Sequence, residues 1–223
     1  MVSLMPFRMP SEILLPPFVA QCVAATIFSL LTMESFRPII GHKRDIIFGL
    51  VEIIRSPGSV ARSIKDCLMA LFAIALYPLN RAQMVELGAV HALFSLILKD
   101  GRVGLVEDAT AVIAQVAGCE ESFEAFKKVS GLGVLMDLLD NSTGSSYRTK
   151  ENSVSALLNL VLCGGEEVSK FVCGKMEERV LDGIIDVSQN GSDKGKNKAI
   201  ELLKILNARN ARLASLSLSS HSS

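Results

Sequence analysis

The chain has 223 residues, 49% of them hydrophobic, 5% aromatic and none Trp, so its core draws on Leu, Ile, Val and Ala, which suits closely packed helices. Twenty-three Lys and Arg balance 23 Asp and Glu, leaving no overall field to draw the chain to nucleic acid or an anionic membrane. Five cysteines (Cys22, Cys67, Cys119, Cys163, Cys173) without a Cys-x-x-Cys, and three scattered histidines (His42, His91, His221), give neither a disulfide framework nor a metal site, and reduced thiols in the cytoplasm or nucleus are expected.

Residues 1–17 are Pro-rich and read as an irregular N-terminal segment. Residues 18–33 are almost wholly apolar, but Glu12 and Pro16-Pro17 precede the run and Gln21 interrupts it. The run is also shorter than the roughly 20 residues of a membrane span, so neither a signal peptide nor a transmembrane segment is expected.

From there two helix types alternate. The first has its cores at residues 22–30, 66–74, 108–116, 152–160 and 197–205, with one apolar residue always in the same place: Ile27, Leu71, Ile113, Leu157 and Leu202. These anchors are 44, 42, 44 and 45 residues apart, and three residues on come Leu30, Ile74, Val116, Leu160 and Ile205. In the fourth of these helices Val154, Leu157, Leu158 and Val161 form one amphipathic stripe at i, i+3, i+4 and i+7. Thr149 or Asn152 is the expected cap there, and Cys163-Gly164-Gly165 the stop.

The second helix type has anchors Leu50, Leu93, Leu135 and Ile184, spaced 43, 42 and 49 residues apart. Turn chemistry follows each: Pro57-Gly58, Asp100-Gly101, Thr143-Gly144 and Asn190-Gly191. Two unrelated landmarks keep one period, which random apolar clustering does not do. A period of 42–45 residues with two principal helices and a short third segment is that of armadillo and HEAT arrays.

The longest interval reflects the segment 163–178, which lengthens the fourth repeat and offers a short extra helix at 166–173. The terminal helix, residues 196–207, carries Lys196, Lys198, Glu201 and Lys204, the polar face that the end of a stack needs. Residues 208–223 read as a disordered Ser-rich tail. The first repeat is incomplete, as in a truncated array.

Several phrases then resemble a known family. Ala24-Ala25-Thr26-Ile27-Phe28-Ser29-Leu30 with Ile39-Ile40-Gly41, and Lys150-Glu151-Asn152-Ser153-Val154 running on to Leu160, are similar to armadillo repeats of plant U-box E3 ubiquitin ligases. So are Glu86-Leu87-Gly88-Ala89-Val90 and the closing run 190–203. The resemblance covers about residues 18–207 and implies an all-α fold, an armadillo-type α-solenoid wound as a right-handed superhelix of four to five repeats. It implies a protein-binding module that recruits targets for ubiquitination without a U-box of its own, and so no enzyme; the alternative is a fragment of an active U-box ligase.

The resemblance also implies a concave groove for extended peptides, lined by the last helix of each repeat. Two residues beyond each second-type anchor stand Glu52, Ser95, Asp137 and Asp186, which, facing such a groove, form an acidic ladder for a basic partner segment. Other proteins are the expected partners, not nucleic acid, membrane or small molecules. No catalytic residue, metal or cofactor is expected: Gly131-Leu132-Gly133 lacks the third glycine and the preceding strand of a dinucleotide loop.

Overall fold

The computed structural model describes residues 16–219. Among them every regular element is helical. In chain order these are α1 (Pro17–Leu31), α2 (Phe36–Gly41), α3 (Arg44–Arg55), α4 (Ala61–Ala75), α5 (Arg81–Glu86) and α6 (Ala89–Lys99). Then come α7 (Val103–Val116), α8 (Ser122–Lys128), α9 (Gly131–Leu139), α10 (Tyr147–Gly174), α11 (Glu178–Asn190) and α12 (Asp193–Ser219).

A short, a medium and a long helix repeat along this order. The long helices α1, α4, α7, α10 and α12 pack each against the next, and the medium helices α3, α6, α9 and α11 back them. The short helices α2, α5 and α8 make the corners. α10 combines two roles across a break at Gly165, whose φ of 63° and ψ of −145° suit a residue without a Cβ. Its first arm is the long helix of one repeat. Its second arm, residues 166–174, is the short helix expected in the inserted segment, and its Phe171 ring meets Phe123 of α8 edge-on at 5.5 Å.

The core is one continuous cluster running through all repeats. Leu71, Ile113, Leu157 and Leu202 are fully buried at equivalent places, and so are Leu93, Leu135 and Ile184 on the medium helices. Each contributes roughly 1.5–3 kcal/mol by leaving water. Close approach is built in: a Cβ on Gly183 of α11 would lie 2.0 Å from the Leu139 carbonyl oxygen of α9, so only glycine lets those two helices meet.

Polar groups are joined at the same period. The buried Asn80 donates to the Arg37 carbonyl 43 residues earlier at 2.9 Å, and Gln83 to the Gly41 carbonyl 42 residues earlier at 3.2 Å. Arg44 grips Glu86 with two hydrogen bonds of 2.7 and 2.9 Å.

Two details differ from the sequence reading. The cap of α10 is Ser146, whose hydroxyl accepts the Thr149 N–H at 3.2 Å, whereas Thr149 is buried and Asn152 reaches across to α7. A Ser one turn earlier offers the same short acceptor and leaves the other two side chains free to pack. Second, α12 runs on to Ser219, through most of the stretch read as a disordered tail, because Ala, Arg and Leu extend a helix already nucleated on the core. Residues 1–15 and 220–223 lie outside the described residues, and with them most of the expected N-terminal segment and the end of that tail.

Leu157→Ala, in the middle of the stack, is expected to cost roughly 2–5 kcal/mol in denaturant unfolding; a midpoint equal to that of the unchanged chain would show the register to be wrong.

Candidate protein-binding surfaces

Two faces run the length of the stack, one along the long helices and one along the medium helices. The long helices leave a narrow stripe open between their buried flanks. On α4 it holds Lys65, Met69, Phe72 and Leu76; on α7, Glu107, Ala111 and Gln115; on α10, Glu151, Asn159 and Leu162. Spacings of three, four and, on α10, eight residues set each group on one side of its helix. Leu76 and Leu162, 37% and 55% exposed, occupy equivalent places two repeats apart.

Amides fasten this face across neighbouring repeats. Asn159 donates to the Ala114 carbonyl at 2.7 Å, and Asn152 to the Glu107 carbonyl at 3.0 Å and the Thr110 hydroxyl at 3.1 Å. Ser146 donates to the Glu107 carboxylate at 2.7 Å, and Lys198 to the Ser155 hydroxyl at 3.0 Å. Arg81 hydrogen-bonds the Ala75 carbonyl at 2.9 Å and reaches the Gly118 carbonyl and the Gln115 side chain at 3.4 Å, tying one repeat to the next.

Asp108 on α7 is one exception, as is the Ser63 hydroxyl on α4. Asp108 is 9% exposed, and its Oδ2 is buried without a hydrogen-bond partner. Burial raises its pKa above the usual carboxylate range; the charges of Lys65 and Arg148 pull the other way, and Glu107 adds to the rise. Asn152 holds the same place one repeat on, and its amide NH2 makes two hydrogen bonds there, a donor's role that a carboxylate cannot fill.

The four residues singled out from the sequence all lie on the medium-helix row, and their carboxylates are partnered within the chain. Glu52 pairs with Arg55 at 2.7 Å on α3. Asp137 on α9 meets Arg179 at 3.3 Å, and the same guanidinium binds Asp140 at 3.0 Å and Glu177 at 2.7 Å. Asp186 on α11 takes Lys150 at 3.3 Å, the Tyr147 hydroxyl at 3.0 Å and Asn190 at 2.9 Å. Hydrogen bonds, that from Asn190 first, keep its pKa low. Ser95 is half-buried in α6. The structure thus joins Asp137 and Asp186 to cations of neighbouring elements, so a basic partner would have to displace Arg179 or Lys150 to reach them.

Asp140 also organises the loop that precedes α10. Its carboxylate accepts the Ser142 N–H at 2.8 Å, and with this bond first and Arg179 in support its pKa is held down to about 2. His91 is an exposed surface residue of α6. None of the five cysteines is in a disulfide; burial, with Asp66 adding to it, pushes the Cys67 thiol up to about 12 and leaves it unreactive.

A cavity of about 350 Å³ opens where the inserted segment meets α8, α9 and α11. Phe126, Leu132, Met136, Phe171 and Val180 make its apolar lining, and Asp137, Glu177 and Arg179 its polar edge. The sequence does not display it because its walls come from separate repeats; the apolar residues of the insertion, Val168, Phe171 and Val172, were the available signal. Among the described residues no group of His, Cys, Asp and Glu is arranged to hold a metal ion, and no single helix is long and apolar enough to cross a membrane.

No protein-family model matches the chain. It is related in sequence to plant U-box domain-containing proteins. U-box domain-containing protein 18 of Arabidopsis thaliana is 26% identical over 185 residues, which cover 82% of this chain and 26% of that protein. U-box domain-containing protein 1 of Medicago truncatula is 33% identical over 128 residues, covering 57% and 18%. The chain thus spans about a quarter or less of the length of these relatives.

Among solved structures, a designed armadillo repeat protein superimposes with a TM-score of 0.65 at 20% identity over 83% of this chain and 74% of that one. The armadillo-repeats-only protein ARO of Plasmodium falciparum gives 0.66 at 17% over 91% and 86%. A designed armadillo repeat protein in complex with a (KR)4 peptide gives 0.63 at 18% over 92% and 84%. The fold is an armadillo-type α-solenoid.

Because the ionised form of Asp108 is penalised in the folded state, its cost is full above its raised pKa, shrinks as the pH falls from there toward the ordinary carboxylate value of about 4, and is gone below it. Asp108→Asn is therefore expected to raise the Tm at pH 7, with the gain shrinking as the pH is lowered toward 4 and gone below it. An equal or lower Tm at pH 7 would show that Lys65 and Arg148 already compensate the charge.

Proposed function

We propose that the chain is a protein-binding repeat module that recruits target proteins for ubiquitination, its binding face being the stripe along the long helices. The observation that carries this reading is the continuity of that row: five long helices touch in succession, so the open stripe crosses every repeat without a break. In a curved stack the row whose helices meet directly is the shorter, inner one, and an inner face can surround an extended segment. The medium helices pack less closely on one another than the long helices do.

The stripe suits a polypeptide in extended form. The half-buried amides of Gln115 and Asn159 stand at equivalent places 44 residues apart and retain capacity to pair with a main chain, while Leu76 and Leu162 offer apolar contact at one edge. The designed armadillo neighbour solved with a (KR)4 peptide supports a polypeptide ligand. The ubiquitin connection rests on the relatives' being U-box domain-containing proteins. On this reading the chain binds and does not itself transfer ubiquitin.

Replacing Gln115 and Leu162 together by Arg is expected to leave the helical circular dichroism unchanged and to reduce recovery of ubiquitin-conjugated proteins from a plant extract at least about tenfold, a loss of about 1.4 kcal/mol in binding. Undiminished recovery would contradict the proposed face. The acidic ladder on the medium helices is tested separately: Glu52→Lys with Asp137→Lys should weaken a Lys/Arg peptide only if that row binds it, and affinity equal to that of the unchanged chain dismisses the ladder.

A second reading makes this chain the repeat portion of an active U-box ligase, favoured by the greater length of the relatives. With ubiquitin, activating enzyme and conjugating enzyme present, self-ubiquitination of this chain would support the second reading over the first.

A further inference from the structure

Successive junctions between repeats share one plan, and the cavity beside Phe171 marks where a junction departs from it. Where α6 meets α8 and α9, the space is filled from within: the Phe94 ring, 1% exposed, packs edge-on against Phe126 of α8 at 5.2 Å. It lies so close to α9 that a Cβ on Gly131 would come within 2.6 Å of it. One repeat on, Met136 holds the place of Phe94, directly after the anchor Leu135 as Phe94 follows Leu93. Val180 of α11 holds the place of Gly131, four residues before the anchor Ile184. An unbranched side chain thus replaces the ring, and the cavity of about 350 Å³ opens between Phe126, Met136, Phe171 and Val180. That volume falls among small-ligand pockets, roughly 300–1,000 Å³.

Two residues at the mouth are not those that packing demands. Gly133, on the first turn of α9, lines the cavity, and a Cβ there would meet nothing within 4 Å. Glycine is a poor helix former, so this one weakens α9 locally while keeping the mouth wide. Ser130 has the left-handed backbone, φ 54°, at the place where Gly88, φ 81°, precedes α6. That conformation disfavours a side chain, yet the residue at the cavity edge is Ser and brings a hydroxyl.

The charges at the edge are not equally engaged. Asp137 and Glu177 accept from Arg179 at 3.3 and 2.7 Å, and Asp140 holds the same guanidinium at 3.0 Å. Lys127 pairs with Glu124 at 3.0 Å. Lys175, exposed at the end of the inserted arm, meets no carboxylate among the described residues. In the lining, Lys127, Lys175 and Arg179 stand against Asp137 and Glu177, and the positive charge left over is that of Lys175.

We propose that this cavity binds a small aromatic carboxylic acid, its ring where the preceding repeat places Phe94 and its carboxylate toward Lys175. The ring follows from the chain's own precedent: Phe126 already takes a ring edge-on one junction earlier, and Phe171 adds a second aromatic wall. The acid follows from the unpaired cation, which a carboxylate meets with a charge-assisted hydrogen bond. A neutral ring compound leaves Lys175 unpartnered, and an amine meets it with like charge. The site lies among α8, α9, α11 and the inserted arm, apart from the stripe along the long helices, and its use does not depend on what that stripe binds.

The test uses the full chain with 2-naphthoate as probe, beside its neutral analogue 2-naphthalenemethanol and its cationic analogue 2-naphthylmethylamine. The chain has no Trp, so the anisotropy of naphthalene fluorescence reports binding without interference. Naphthoate is expected to bind saturably and at least about threefold more tightly than the alcohol, with the amine weakest. Lys175→Met should erase the preference for the acid over the alcohol. Met136→Phe, which supplies the ring of the preceding repeat, and Gly133→Leu, which fills the mouth, should each weaken naphthoate at least about tenfold with helical circular dichroism unchanged. Gln115→Arg with Leu162→Arg should leave this binding intact, which separates it from the long-helix face. Absence of saturable naphthoate binding, equal or tighter binding of the alcohol or the amine, a preference for the acid that survives Lys175→Met, or an affinity that neither cavity-filling substitution lowers overturns the proposal.

Discussion

A single repeat of this chain cannot keep its apolar surface dry. Each long helix buries a broad arc of its circumference, not one stripe: on α10 an uninterrupted run from Ser153 to Leu158 is buried. Only neighbours on both flanks and a medium helix behind can cover so much. The chain meets that demand by repetition, so each repeat is stabilised chiefly by the next and the core extends as far as the stack does.

Apolar burial drives the stacking, but it is indifferent to small slips between repeats. Register is set by polar groups that find partners only one period away: Asn80 with the Arg37 carbonyl, Asn152 with the Glu107 carbonyl, Asn159 with the Ala114 carbonyl. A displaced repeat would leave these amides buried and unpaired, at about 1–3 kcal/mol each. The exposed ion pairs, such as Arg44 with Glu86, are screened by water and serve orientation more than cohesion. The close approach at Gly183 acts in the same sense, fixing α11 on α9.

The architecture was legible in the sequence because the period is carried by core positions, where chemistry and geometry coincide. Leu71, Ile113, Leu157 and Leu202 fall 42–45 residues apart and are all fully buried. The helix in the inserted segment was equally visible, bounded by Gly165 and Gly174. What the sequence does not display is pairing between repeats. Asp137 and Asp186 look like free acids along a helix until Arg179 and Lys150 arrive from adjoining elements. The Ser146 cap was obscured by Thr149 and Asn152, which have the right chemistry but are claimed by packing and by α7. The cavity beside Phe171 depends on four elements meeting, and no local pattern encodes that.

Native-state hydrogen exchange tests the nearest-neighbour core most directly. Amide protection should be greatest in α7 and the first arm of α10, which have long helices on both flanks, and should decline stepwise through α4 to α1 and toward α12. Protection that is equal in all long helices, lost in one global step, would contradict a core assembled repeat by repeat.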